Sequence, residues 1–271
     1  MWGRGPRIEI KTIDQLRHMR EAGLVVAGAL AHVRSLVGPG VTTAALDGAA
    51  EEFIRDAGAR SNFKGYHGFP GVICTSVNDE VVHGIPGSRV LREGDLLSVD
   101  CGAIVSGWHA DAAMTVEVGE VDAAARALSE VTEQALWAGI AQARVGGRLT
   151  DIGAACQDLV AGRYGIVVDY VGHGIGSQMH MEPSVPHVGP RGRGPVLRVG
   201  MALAIEPMLT AGSDEVDVRD DNWTVATVDG SWAAHWEHTV VLTPTGPLVT
   251  TAPDAGAARL AAMGVTVGSL D

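Results

Sequence analysis

Between residues 13 and 37, apolar side chains recur at helical spacing (Leu16, Met19, Ala22 or Gly23, Val26, Leu30, Val33), which predicts an amphipathic helix with one buried stripe. Gly38-Pro39-Gly40 ends it. Thr42 or Thr43 then caps a second helix that runs to about Asp56 and stops at Gly58. From Phe63 to Pro86 the pattern changes to glycine-punctuated strands and loops, with Val72-Ile73-Cys74 and Glu80-Val81-Val82 as short extended pieces. Residues 96–105 and 108–118 predict a β-hairpin turning near Ser106-Gly107. Two further helices are expected over 123–143 and 149–163, then strands over 202–208, 223–228 and 235–242. The Ala- and Gly-rich tail from Ala252 is expected to be peripheral or loosely ordered. No linker-like stretch divides the chain, so it reads as one domain over residues 13–251, with an arm at 1–12 and the tail at 252–271.

One internal similarity bears on architecture. The run Leu91-Arg92-Glu93-Gly94-Asp95-Leu96-Leu97-Ser98-Val99-Asp100 can be laid on Leu197-Arg198-Val199-Gly200-Met201-Ala202-Leu203-Ala204-Ile205-Glu206. Leu, Arg and Gly recur in step, an apolar strand follows, and each copy ends in a carboxylate. Two helices precede each copy, which suggests two related αβ halves about a pseudo-twofold axis, each delivering an acid to a shared centre.

Composition narrows the classes. The chain has 271 residues, 46% of them hydrophobic, enough for a sizeable core. Mean hydropathy is +0.16, yet no run approaches the ~20 apolar residues of a membrane helix; His32 and Arg34 break the nearest candidate, residues 23–37. Arg4, Arg7 and Lys11 are followed by no apolar block, so a secretory signal is not expected. Cys74, Cys101 and Cys156 are odd in number and far apart, which suggests neither a disulfide framework nor a zinc knuckle and fits a reducing cytoplasm. A net charge of −12 argues against a nucleic-acid partner. It suits carboxylates gathered around cations or a substrate with a positive end, although acidity more often serves solubility alone.

Asp100 and Asp111 sit on opposite arms of the predicted hairpin. An even-residue turn centred at Val105-Ser106 or at Ser106-Gly107 places both on one face, directly opposite in the first case and diagonal in the second. Like charges so placed repel, which either a shared proton or a bound cation would relieve. A three-residue turn would instead send Asp111 to solvent. Glu206 ends an apolar strand before Pro207, and Glu237 lies in another largely apolar strand. An arginine partner is the ordinary explanation for one buried glutamate. Four semi-buried acids against 20 Lys plus Arg in the whole chain weaken it here. His173 stands in Val171-Gly172-His173-Gly174-Ile175-Gly176, where small neighbours let its ring approach another group; a structural turn or a phosphate loop would read the same way. Two aspartates, two glutamates and a histidine suit two divalent ions such as Mn, Fe(II), Co or Zn.

Taken in order, several segments together resemble the type I methionine aminopeptidases over residues 13–249. They are Asn78-Asp79-Glu80-Val81-Val82-His83-Gly84-Ile85-Pro86, the Asp100/Asp111 spacing, Gly172-His173-Gly174-Ile175-Gly176, Ile205-Glu206-Pro207 and Glu237-His238-Thr239. The resemblance implies an α+β pita-bread fold, pseudo-symmetric with a central antiparallel sheet. It implies five metal ligands, Asp100, Asp111, His173, Glu206 and Glu237, with Asp111 and Glu237 bridging. His83 and His180 become substrate-side histidines, and a monovalent cation is expected near Asn78. In that scheme Glu206 accepts the proton of the attacking water, His180 stabilises the oxyanion, and His83 positions the scissile amide or assists the leaving nitrogen. Tyr66, Phe69, Cys74, Met179 and Trp223 are the candidates for the methionine side-chain pocket, soft and aromatic groups that suit a polarisable sulfur. The implied partners are nascent chains with Met first and a small second residue; association with the ribosome, a monomeric state and a compact bacterial form are further expectations. Three departures stand out. Ala110-Asp111-Ala112 replaces a common Gly-Asp-Thr, Met179 precedes His180 where an aromatic is common, and Phe63 stands where a smaller residue is frequent. The rival readings are an Xaa-Pro aminopeptidase or prolidase, which usually carries an extra N-terminal domain, and a metal-free binding protein on the same fold.

Overall fold

Helix α1 (Ile13–Leu36) begins where a capping box closes: the Thr12 hydroxyl accepts from the Gln15 N–H at 3.4 Å, and the Gln15 side chain accepts from the Thr12 N–H at 2.8 Å. The structure is a computed structural model that describes residues 8–271; of the arm expected at 1–12, residues 1–7 lie outside the described residues. The stripe Leu16, Met19, Ala22, Val26, Leu30 and Val33 is buried, and α1 lies across the hairpin of Leu96–Val105 and Trp108–Glu117. Helix α2 (Thr43–Asp56), capped by Thr42, packs beside it through Leu46, Ala50 and Ile54. Each side chain buried as fully as Met19 or Leu46 contributes about 1.5–3 kcal/mol.

The second half repeats the plan. Helices α3 (Ala123–Gln142) and α4 (Thr150–Val160) pack together and cover the pair Ala202–Ile205 and His238–Leu242. The repeated decapeptide occupies equivalent places. Leu91 and Leu197 are buried, Gly94 and Gly200 share a left-handed backbone (φ 90° and 85°), and each glycine N–H donates across to the partner strand, to Val118 and Leu242 respectively. The halves meet where the Ala113 N–H donates to the Glu237 carbonyl at 3.3 Å and the Glu237 N–H returns to the Ala113 carbonyl at 3.0 Å. That reciprocal pair joins the two repeats.

Three elements differ from their sequence expectation. The strand expected over 202–208 is two, Ala202–Ile205 and Met208–Thr210, because Pro207 has no N–H to continue the ladder. The strand expected over 235–242 is likewise split into Ala233–His235 and His238–Leu242, the chain passing from one sheet to another at Trp236-Glu237. Helix α4 stops before Arg163 because Ala161 and Gly162 turn left-handed.

Residues 252–271 lie on the periphery and are packed. Helix α5 (Ala257–Ala262) buries Leu260, and the Arg20 guanidinium donates to the carbonyls of Val249, Thr250, Ala252 and Pro253. Among the described residues no helix is long and apolar enough to cross a membrane.

Candidate metal centre

The hairpin turns through Ser106 and Gly107, both left-handed (φ 52° and 81°), a two-residue turn whose twist matches that of the strands. Val105 therefore faces Trp108, Gly102 faces Asp111 and Asp100 faces Ala113. The two carboxylates share one face on a diagonal, the second of the two even registers; a three-residue turn is excluded. Asp111 is 3% exposed, and both of its backbone groups are held by the Thr239 hydroxyl, which accepts from its N–H at 2.9 Å and donates to its carbonyl at 2.8 Å. Ala110 and Ala112 are buried in the core beneath helices α1 and α2, where a larger side chain would have to displace packed neighbours.

His173 reaches the same point from strand Gly172–Gly174. A Cβ at Gly172 would run into the Ala204 carbonyl, and one at Gly174 into the Glu182 carbonyl, so the flanking glycines let this strand lie close between its two neighbours. The ring pairs its Nδ1 with the Gly174 carbonyl at 3.0 Å, which makes Nδ1 the protonated nitrogen and leaves Nε2 a lone pair, 3.5 Å from Glu206 Oε1. Glu206 is fixed from behind as its backbone N–H donates to His187 Nε2 at 3.0 Å. Its second oxygen, Oε2, lies 3.6 Å from His235 Nε2. Among the described residues neither Glu206 nor Glu237 has an arginine or lysine partner, so the ion-pair explanation is set aside. Ligand atoms of Asp111, His173 and Glu237 converge, and so do those of Glu206, His235 and Glu237, all within 4.8 Å in each group.

Electrostatics follow from this crowding. Burial, reinforced by the neighbouring carboxylates, lifts Asp111 and Glu237 well above the ordinary carboxyl range; burial lifts Asp100 to about 7 and Glu206 to about 8. Burial also depresses His173 to about 3 and His83 to about 4, so both rings are neutral near pH 7. Asp100 Oδ1, Asp111 Oδ1, Glu237 Oε1 and His235 Nε2 are buried without a protein partner. Unpartnered oxygens and a neutral nitrogen, crowded where self-repulsion would otherwise drive them apart, fit divalent cations.

The centre forms one wall of a cavity holding about 560 Å³ of space, its open mouth included. Opposite it lie Phe63, Tyr66, Phe69, Cys74, Met179 and Trp223. Phe63 meets Phe69 edge-on, and Phe69 meets Trp223 the same way. Phe63 and Met179, two of the departures noted in the sequence, thus narrow the same apolar pocket. The Cys74 thiol is pushed up by burial and by Asp100, so it is a packing group and no thiolate nucleophile. His180 stands over His173 with ring centres 4.4 Å apart and Tyr66 Oη 2.9 Å from its Nδ1. His83 faces the cavity from a left-handed backbone (φ 60°) and touches Tyr170 and Trp223. All twelve side chains singled out from sequence line this one cavity.

Sequence reasoning missed Thr239, His187 and His235. His235 carried a usable signal, because it precedes Glu237 by two residues in extended chain and so shares its side. His187 and Thr239 act through backbone contacts that no local pattern announces.

Residues 17–244 match the sequence profile of "Metallopeptidase family M24". The chain is 52% identical over 249 residues to "Methionine aminopeptidase 1" of Mycobacterium tuberculosis (strain CDC 1551 / Oshkosh), covering 89% of this chain and 94% of that protein. It superposes on the crystal structure of a methionine aminopeptidase from Thermotoga maritima with TM-score 0.89 and 42% identity, over 90% of this chain and 99% of that one. A prolidase from Pyrococcus furiosus shares the fold alone, at TM-score 0.72 and 19% identity, and this chain spans 65% of its length. The α+β pita-bread architecture expected from sequence is the one observed. With a profile that spans most of its length and relatives identical at half their positions, the chain belongs to metallopeptidase family M24.

Proposed function

We propose that this chain is a methionyl aminopeptidase that removes the initiator methionine from new polypeptides in the cytoplasm. One observation carries the reading: unpartnered buried carboxylate oxygens converge on the wall of an apolar, sulfur-compatible pocket. Relatives named methionine aminopeptidase support it. Asp100, Asp111, His173, Glu206 and Glu237 would hold two divalent ions, from among Mn, Fe(II), Co and Zn. When bound, such ions supply Lewis acidity and lower the pKa of water.

The remaining chemistry belongs to the side chains. Glu206, buried at the centre with its two oxygens facing His173 and His235, is placed to take a proton from the attacking water. Tyr66 Oη donating to His180 Nδ1 would leave the proton of that ring on Nε2, where it can meet the developing oxyanion. His83 lies across the cavity and would hold the scissile amide. The methionine side chain would lie among Phe63, Tyr66, Phe69, Cys74, Met179 and Trp223, where burial excludes charged residues. A small second residue, a monomeric enzyme and work beside the ribosome complete the proposal. A monovalent cation near Asn78 completes the site.

Release of methionine from Met-Ala-Ser tests the reading. The wild-type protein, purified without chelator and reconstituted anaerobically, should cleave it and leave Ala-Pro peptides intact, and Asp111→Asn and Glu206→Ala should abolish turnover while the fold persists. Turnover retained by either variant, or cleavage of Ala-Pro in preference, would refute it.

A further inference from the structure

We infer that His235 is a sixth protein ligand of the metal centre, supplying a second imidazole to it. This deepens the two-metal proposal and rests on it.

The argument begins with what the His235 ring does not do. The residue is 1% exposed, and its Nε2 is buried without a protein partner. At 3.6 Å from Glu206 Oε2 it is too far for a hydrogen bond. An imidazole nitrogen stranded in a protein interior costs free energy unless something occupies the gap. The separation itself is informative. Two N or O ligands bound at ~2.0–2.2 Å to one ion lie about 3–3.5 Å apart, close to the distance seen.

The same geometry recurs on the other side of Glu206. His173 Nε2 stands 3.5 Å from Oε1, and His235 Nε2 stands 3.6 Å from Oε2. One carboxylate is therefore straddled by two imidazoles in matching positions. The convergent ligand groups divide the same way: Asp111, His173 and Glu237 form one, Glu206, His235 and Glu237 the other, with Glu237 common to both. Each group holds one imidazole. The backbone of His235 is anchored for the task, its N–H donating to the hydroxyls of Ser98 and Thr115 and its carbonyl accepting from Thr115 at 2.8 Å. A nitrogen at each position shifts the centre toward ions that favour imidazole, such as Co(II), Fe(II) and Zn(II), over hard oxygen-seeking Mg(II).

X-ray absorption at the cobalt edge tests this on the wild-type protein loaded with two Co(II). Imidazole multiple scattering should count one ring per cobalt, dropping to half a ring in His235→Gln. Calorimetric titration of chelator-treated His235→Gln with Co(II) should show the second ion weakened at least tenfold, while the first is retained. Half a ring per cobalt in the wild type overturns the assignment, whatever happens to variants. So does a full ring that persists in His235→Gln, which would trace the nitrogen to another histidine, and so does an unweakened second ion. The ring count is independent of peptide turnover: a protein that binds cobalt through two imidazoles yet fails to release methionine would refute the proposed function and leave this inference standing.

Discussion

Stripped of its cations, the protein is expected to lose stability as pH rises from 7 to 8, and to recover when a divalent ion is restored. The sign follows from the directions of the shifts. Glu206, lifted to about 8, keeps a proton in the folded state at pH 7 that the unfolded chain has already lost, so its contribution is present at low pH and disappears as pH climbs through the folded value. Asp111 and Glu237 are raised as well and act in the same direction, and Asp100, at about 7, is partly spent by the start of the window. A carboxyl that holds its proton removes about 1.4 kcal/mol per pH unit, so Glu206, half deprotonated by pH 8, gives about 1 kcal/mol over this interval, and its raised neighbours add to it in the same direction. The histidines set the lower limit of the window. His83, His173, His187 and His238 are held at about 3–4 by burial, so they add stability above the unfolded value near 6.5 and lose it as pH falls below that. At pH 7 to 8 they are largely neutral in both states, and the carboxyls act nearly alone. Urea denaturation of chelator-treated protein at pH 7 and pH 8, each with and without Mn(II), measures the effect. Bound ions take the ionised carboxylates and compete with protons, so the loaded protein should hold or gain stability over the same step. A metal-free protein as stable at pH 8 as at pH 7 would refute the picture of four carboxyls confined together.

Three substitutions probe other parts of the structure. Tyr66→Phe removes the partner of His180 Nδ1 and should lower kcat up to about tenfold with little change in KM, the scale of one hydrogen bond of about 1 kcal/mol; an unchanged kcat would show that the tautomer is set elsewhere. Thr239→Val leaves the Asp111 N–H and carbonyl without their hydroxyl partner and should cost about 1–3 kcal/mol in denaturant titrations, along with weaker metal binding. Gly23→Ala would press a methyl group against the Thr250 carbonyl, a backbone atom that cannot swing aside, and should cost about 1–3 kcal/mol, read as a lowered melting temperature.

The hairpin and the helix pairs were legible because each rests on local periodicity: α1 closes its own cap at Thr12, and the Ser106-Gly107 turn alone determines which face Asp111 takes. The acids of the centre were legible for a related reason, since a carboxylate in an apolar strand needs an explanation wherever it occurs. The strand interruptions were harder to see. Residues 235–242 read as one extended strand, and only the arrival of the hairpin from the other half, pairing Ala113 with Glu237, shows why the strand changes sheets there. Packing of the tail likewise depends on Arg20, more than two hundred residues away in sequence, and no local pattern reports such a contact.

The reciprocal bond pair between Ala113 and Glu237 has a consequence for how the catalyst comes into being. Asp100 and Asp111 emerge during synthesis long before Glu206 and Glu237, so the proposed ligand set is incomplete until both halves have been made. A newly made copy is therefore inert until nearly all of it has been translated and the two lobes have docked. Ions held by the proposed ligands would clasp the two lobes across the seam and couple metal binding to completion of the fold.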